Sequence, residues 1–186
     1  MYDLSDPTAW YCPGVVTLYR SIPFRANFQP DEPFPSIDGR FDGNSRLTLY
    51  LSESGTGAVA EWLRHYPEFI SMQDDLRIKL SEITIQCDSN ILDIRTEEQA
   101  GKIGFPFDRL TSSEKDPHMR YKECRDLADN ASESTGIAYP NASLMTSQSS
   151  NVVLFGEKGV KWNSSGYNEV DRPFVDVGSV RIIESA

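Results

Sequence analysis

The sequence predicts a single α+β domain, and three observations predict it. The segment RLTLYLS alternates leucine with polar residues over 46–52, the period of two expected of a strand with unlike faces. Helical spacing follows twice: Val59, Trp62, Leu63 and Tyr66 share one stripe, and Tyr121, Cys124, Leu127, Ala128 and Ala131 share another. Two short apolar runs, GIAYP and NVVLF, suit interior strands, and no repeat or low-complexity tract divides the 186 residues. One domain is therefore expected over 1–186, with its chemical motifs in roughly 15–156.

Taken in order, VVTLYRSIP reads as a strand buried on both faces apart from Arg20. Pro23, Pro30, Pro33 and Pro35 make 24–38 a loop. Gly39 opens a turn into the alternating strand, where Tyr50 projects opposite Leu47, Leu49 and Leu51. Ser54 and Thr56 are candidate caps for the helix that follows. In that helix Glu61 stands about 200° around from Val59, away from the apolar stripe. LRIKLSEITIQC reads as a strand whose alternation slips at Ser81–Glu82, which predicts a bulge. NILDI is a short strand or strand extension, and 101–117 is expected to be irregular. Asn168–Pro173 reads as a loop and FVDVGSVRII as a last strand.

Composition narrows the function classes. A net charge of −10 disfavours contact with nucleic-acid backbones, whose non-specific affinity comes from Lys and Arg. A small anionic substrate is compatible if arginines gather in one cleft. No run approaches the ~20 apolar residues of a membrane span, and MYDLSDPTAW lacks the pattern of a secretory signal, so a cytoplasmic protein is expected. Cys12, Cys87 and Cys124 show neither disulfide nor zinc spacing and are expected to be buried free thiols. No metal is expected.

Five side-chain types suit an anionic nucleotide. The forks of Arg20 and Arg40 match phosphate oxygens, and Tyr50 offers a ring for stacking. The Glu61 carboxylate can face the positive charge that develops when an N-glycosidic bond breaks, or hold a ribose hydroxyl. Asn141 and Ser143 can anchor phosphate or sugar. Each also has a plainer role: solvated arginines, a core tyrosine, a surface glutamate. His65 and His118 have no ligand or triad spacing, and the pairs Ser149–Ser150 and Ser164–Ser165 read as loop serines.

In order, the chain contains LYR, GRF, TLYLSES, AVAEW, GIAYP and NVVLF, spanning Leu18 to Phe155. This ordered set resembles the RES-domain family, named for Arg, Glu and Ser. The resemblance implies an ADP-ribosyltransferase-like fold, a split, mixed β-sheet flanked by helices with NAD in its cleft. It implies a toxin that destroys NAD by phosphorolysis or hydrolysis, with inorganic phosphate or water as acceptor. By the same resemblance Arg20 and Arg40 bind phosphates and ribose, Tyr50 lines the nicotinamide pocket, and Glu61 assists cleavage. The implied partner is a helix-turn-helix (Xre-type) antitoxin that plugs the cleft. Where the family commonly reads YPSAR, this chain reads Tyr139-Pro140-Asn141-Ala142-Ser143. That departure leaves open two alternatives: an ADP-ribosyltransferase with a protein acceptor, and a degenerate RES domain that binds NAD or a partner without turnover.

Overall fold

Strand alternation and helical stripes resolve into one mixed sheet in the computed structural model. It describes residues 2–23, 26–29, 31–33, 39–42, 47–65, 77–111, 119, 121–131, 134–144, 149–156 and 160–171, and of 111 and 160–171 the backbone alone. The strands are β1 Trp10–Tyr11, β2 Gly14–Pro23, β3 Thr48–Ser52, β4 Arg77–Cys87, β5 Ile91–Asp93, β6 Gly136–Pro140, β7 Ser150–Phe155 and β8 Val160–Asp171. The helices are α1 Gly55–His65, α2 Glu97–Lys102 and α3 Lys122–Asn130, with 3-10 turns at Pro7–Ala9 and Phe107–Thr111. The sheet order is β1-β5-β6-β7-β3-β2-β4-β8. Only β5 and β6 run parallel, and the chain between them carries α2 and α3, the crossover that parallel pairing requires.

The sheet is split at its middle. β2 pairs with β4 over ten residues, from Gly14↔Cys87 to Pro23↔Ile78, but among the described residues it pairs with β3 only at Tyr19↔Ser52. Leu49, Leu51, Val152 and Leu154 of one half pack with Leu18, Ile83 and Ile85 of the other. The opposite face of the first half takes the helices: Leu92, Ile137, Tyr139, Val153 and Phe155 pack against Ala100, Cys124, Leu127 and Ala128. Leu127 is fully buried there, worth about 1.5–3 kcal/mol relative to exposure. Helix α1 rests on the second half through Val59, Trp62, Leu63 and Ile78.

Local chemistry sets the helix ends. The Ser54 hydroxyl accepts from Gly57 N at 3.0 Å, while Arg64 and His65 complement the carbonyl end of α1. The Thr96 hydroxyl accepts from Gln99 N, with Glu97 and Glu98 in the first turn of α2. Helix α3 has no side-chain cap and depends on its buried face of Cys124, Leu127 and Ala128.

The strands expected in RLTLYLS, GIAYP and NVVLF are present as β3, β6 and β7, and the β4–β8 ladder shifts register between Ser81 and Ile83. Several expectations are corrected. β2 is not buried on both faces along its length: Val15, near its start, is 70% exposed, whereas Leu18 and Ile22 are buried. Residues 101–111 are less irregular than expected, since α2 ends in them and a 3-10 turn follows. Asn168–Asp171 is strand rather than loop, hydrogen-bonded to the long β4. Ser150 begins β7, and Ser164 and Ser165 lie in β8, so these are not loop serines. Cys87 and Cys124 are buried, but Cys12 is exposed in the link between β1 and β2. Tyr66, His118 and FVDVGSVRII lie outside the described residues.

Candidate active site

The turn Gly39–Asp42 is fastened to β3 by one carboxylate. Asp42 Oδ1 accepts from the hydroxyls of Thr48 at 2.9 Å and Tyr50 at 2.8 Å, and Oδ2 accepts from Gly39 N at 2.6 Å. The Tyr50 hydroxyl in turn accepts from Phe41 N at 2.8 Å. Both polar functions of this hydroxyl are thus committed within the protein. Burial, with Asp42 beside it, raises the Tyr50 pKa well above the ordinary phenol value. Its ring packs against the helix-side core, opposite Leu49 and Leu51 as the alternation predicts.

The turn delivers Arg40 into an aromatic box. Its guanidinium lies 5.4 Å from the Tyr121 ring centroid and 5.5 Å from that of Tyr139, and donates to the Leu110 carbonyl. The residue is 5% exposed, and no described carboxylate lies within salt-bridge distance. Burial opposes its charge, but the influence of Tyr139 and Glu61 outweighs burial and raises the pKa. A buried cation balanced by ring faces, one carbonyl and a carboxylate at a distance is an incomplete arrangement, which an anionic ligand would complete.

Glu61 lies on the α1 face turned from the Val59–Trp62 stripe, with its side chain 18% exposed. Asn151 Nδ2 donates to its Oε1 at 3.2 Å. Arg64 and His65 approach its Oε2 at 3.6 and 3.7 Å, so His65 is a neighbour of the carboxylate rather than incidental.

Asn141 is 1% exposed and fully engaged. Its Oδ1 accepts from Ser143 N at 2.9 Å and Leu144 N at 3.1 Å, while Nδ2 donates to Gly57 O at 3.3 Å and Asn151 Oδ1 at 3.2 Å. The amide therefore ties the β6 end to α1 and β7. The Ser143 hydroxyl oxygen is enclosed and has no partner among the described residues. Arg20 contacts the segment after β2 instead: it donates to Glu32 O at 2.7 Å and lies 5.7 Å from the Phe28 ring.

Arg40, Tyr50, Glu61 and Asn141 are thus gathered around the meeting of β3, β7 and α1, whereas the described contacts of Arg20 lie elsewhere. Sequence reasoning missed Asp42, Asn151, Tyr121 and Tyr139 as members. A polar Asn opening the apolar run NVVLF was the available signal for Asn151; Asp42 looked like an ordinary turn residue. A separate cavity of about 420 Å³ lies on the other sheet face, lined by Val16, Leu18, Val152 and Leu154 with Arg95 at its edge. Arg95 is already saturated there by Asp93 at 2.8 Å, Glu53 at 3.3 Å and the Tyr11 ring.

Comparison with known proteins gives a family and a fold. The family model described as RES domain matches residues 10–171. No curated protein matches the chain. Among solved structures, a chain in the crystal structure of the M. tuberculosis MbcT–MbcA toxin–antitoxin complex is similar, with TM-score 0.63 and 16% identity. The likeness covers 88% of this chain and 87% of that one, and at this identity it is a likeness of fold.

Proposed function

From the premise that the chain belongs to the RES-domain family, we propose that it is an NAD-cleaving enzyme, the toxin of a toxin–antitoxin pair. The observation that carries this reading is Arg40, a buried guanidinium with no carboxylate at salt-bridge distance among the described residues, within electrostatic reach of Glu61. An anion at Arg40 would place a dinucleotide's phosphates there, with Glu61 left for the sugar. In the reaction the bond from ribose C1′ to the nicotinamide nitrogen breaks, and its electron pair leaves with neutral nicotinamide. Glu61 faces the positive charge that develops on the ribosyl group. An oxygen of phosphate or water then bonds to C1′ and releases its proton to solvent. Arg40 and the Tyr121–Tyr139 box hold the anionic end, and Tyr50 braces the turn that carries Arg40.

The partner in this reading is an antitoxin, which the similar chain's toxin–antitoxin complex supports, and we propose that it is of helix-turn-helix (Xre) type. The acidic chain, at net −10, leaves DNA contact to that partner. NAD supply places the work in the cytoplasm, and no metal takes part. Purified protein should release nicotinamide from NAD, faster with phosphate if phosphate is the acceptor. Glu61→Gln should lower kcat by about 10²–10³-fold, the scale of losing one electrostatic stabiliser. Intact NAD at every phosphate concentration would overturn the reading. Label from NAD retained on protein would instead favour an ADP-ribosyltransferase. A second reading, NAD binding without turnover, would be identified by calorimetry that shows binding with no product formed.

A further inference from the structure

We propose that Asn141 and Asn151 form a directional amide relay that sets the orientation of the Glu61 carboxylate. Asn151 is then a positioning residue and Asn141 is the relay's anchor rather than a phosphate ligand. The proposal rests on the reading of Glu61 as the group that faces the ribosyl charge.

The direction of each hydrogen bond follows from the backbone. Ser143 N and Leu144 N can only donate, so the Asn141 atom they meet at 2.9 and 3.1 Å is the amide oxygen. Its nitrogen must then face the other way, where the Gly57 carbonyl at 3.3 Å can only accept. The same nitrogen donates to Asn151 at 3.2 Å, which fixes the Asn151 oxygen toward Asn141. The Asn151 nitrogen is thereby turned toward Glu61 Oε1, at 3.2 Å. A flip at either amide would set donor against donor at one junction and acceptor against acceptor at another. Both asparagines are almost fully buried, so water does not readily replace a lost partner.

The relay also connects distant pieces of the fold. Asn141 follows β6, Asn151 lies in β7, and Gly57 and Glu61 lie one turn apart on α1. Gly57 is open to this contact only because it lacks a side chain: a Cβ there would stand 2.9 Å from Asn141 Nδ2 and 2.4 Å from the Ser52 hydroxyl. The opposite carboxylate oxygen, Oε2, is approached by Arg64 at 3.6 Å and His65 at 3.7 Å. Glu61 is thus gripped at one oxygen by a neutral donor and approached at the other by the side chains of Arg64 and His65.

The test is a double-mutant cycle on the full chain. Asn151→Asp keeps shape but replaces the donor facing Glu61, and should lower kcat by about 10²-fold with KM for NAD little changed. Asn141→Asp preserves the backbone contacts yet removes the donor to Asn151, so it should produce a similar loss although Asn141 does not touch Glu61. The double variant should be no worse than either single one, whereas independent structural roles would multiply the losses. Asn151→Gln, which retains the donor, should recover part of the rate. Side-chain amide NMR gives a readout independent of turnover: the Asn151 NH2 signals should move on Glu61→Gln and on Asn141→Asp in folded protein. Multiplicative losses, or Asn151 signals indifferent to both substitutions, would overturn the relay. Absent NAD cleavage by the wild type with responsive Asn151 signals would instead overturn the enzymatic reading and keep the relay.

Discussion

Asp42 Oδ1 and the Tyr50 hydroxyl stand 2.8 Å apart, at the centre of the hydrogen bonds that tie the arginine-bearing turn to the strand that leads into α1. Asp42 is 1% exposed and also accepts from Thr48 and Gly39, so among the described residues its carboxylate is held by hydrogen-bond donors. Arg40 precedes it by two residues, between the rings of Tyr121 and Tyr139. Support for Arg40 is therefore mechanical first and electrostatic second.

Tyr50→Phe tests that support. It leaves Phe41 N without its acceptor and removes one donor from Asp42, at a cost of about 1–3 kcal/mol. Urea unfolding should show a lower midpoint with unchanged slope. If Arg40 binds the anionic end of NAD, the same variant should raise KM more than it lowers kcat.

Gly57→Ala probes the crowded nook where α1 meets β3, the β6 end and the start of β7. The new methyl carbon would meet Ser52 Oγ at 2.4 Å, Ser149 Oγ at 2.8 Å and Asn141 Nδ2 at 2.9 Å. Overpacking of this kind costs about 1–3 kcal/mol, more than the gain in helix propensity of ~1 kcal/mol. Thermal unfolding should begin earlier. A variant as stable as the parent would mean that the nook yields without strain.

Alkali should unfold the protein from about pH 9 upward. Burial pushes the Cys124 thiol from 9.0 up to about 12, and burial also raises Tyr50 and Tyr139 above the ordinary phenol value of 10.0. The unfolded chain releases these protons first, so it binds fewer of them and stability falls as pH rises. Below the unfolded values, near pH 9, this contribution to stability is fully present. Phenolate absorbance followed beside circular dichroism should show a late ionisation step coincident with loss of structure. Full phenolate formation before unfolding would contradict the burial of these rings.

Thiol reactivity should divide one to two. Cys12 is exposed, while Cys87 and Cys124 are at 0% exposure. An aromatic disulfide reagent should label one thiol rapidly in native protein and the other two only after denaturant. Three fast thiols would show that the split-sheet core opens readily around Cys87.

Much of the fold was legible because its signals are local. Leu49, Leu51 and Tyr50 alternate within five residues, and the slip at Ser81–Glu82 marked a bulge that lies between Ser81 and Ile83. Helix α3 announced itself through Cys124, Leu127 and Ala128. The two-residue β1 and the six-residue α2 were missed, since neither is long enough to display a period. β8 was read partly as loop because its pairing with β4, rather than its own pattern, makes it a strand.

For the site, the sequence by itself determined which residues face away from the leucines of β3 and the stripe of α1. Tyr50 and Glu61 follow from a period of two and a turn of ~100° per residue, angles that any chain obeys. It also carried the ordered motifs of the RES-domain family, matched over 10–171. What those side chains meet was decided by tertiary structure alone. Asp42 reaches Tyr50 across eight residues, Asn151 reaches Glu61 across ninety, and Asn141 reaches Gly57 across eighty-four. Hydrogen bonds between such distant positions leave no periodic trace, because they depend on sheet order and on the split between β2 and β3. Arg20 lies on β2, and its described contacts are with Glu32 and Phe28.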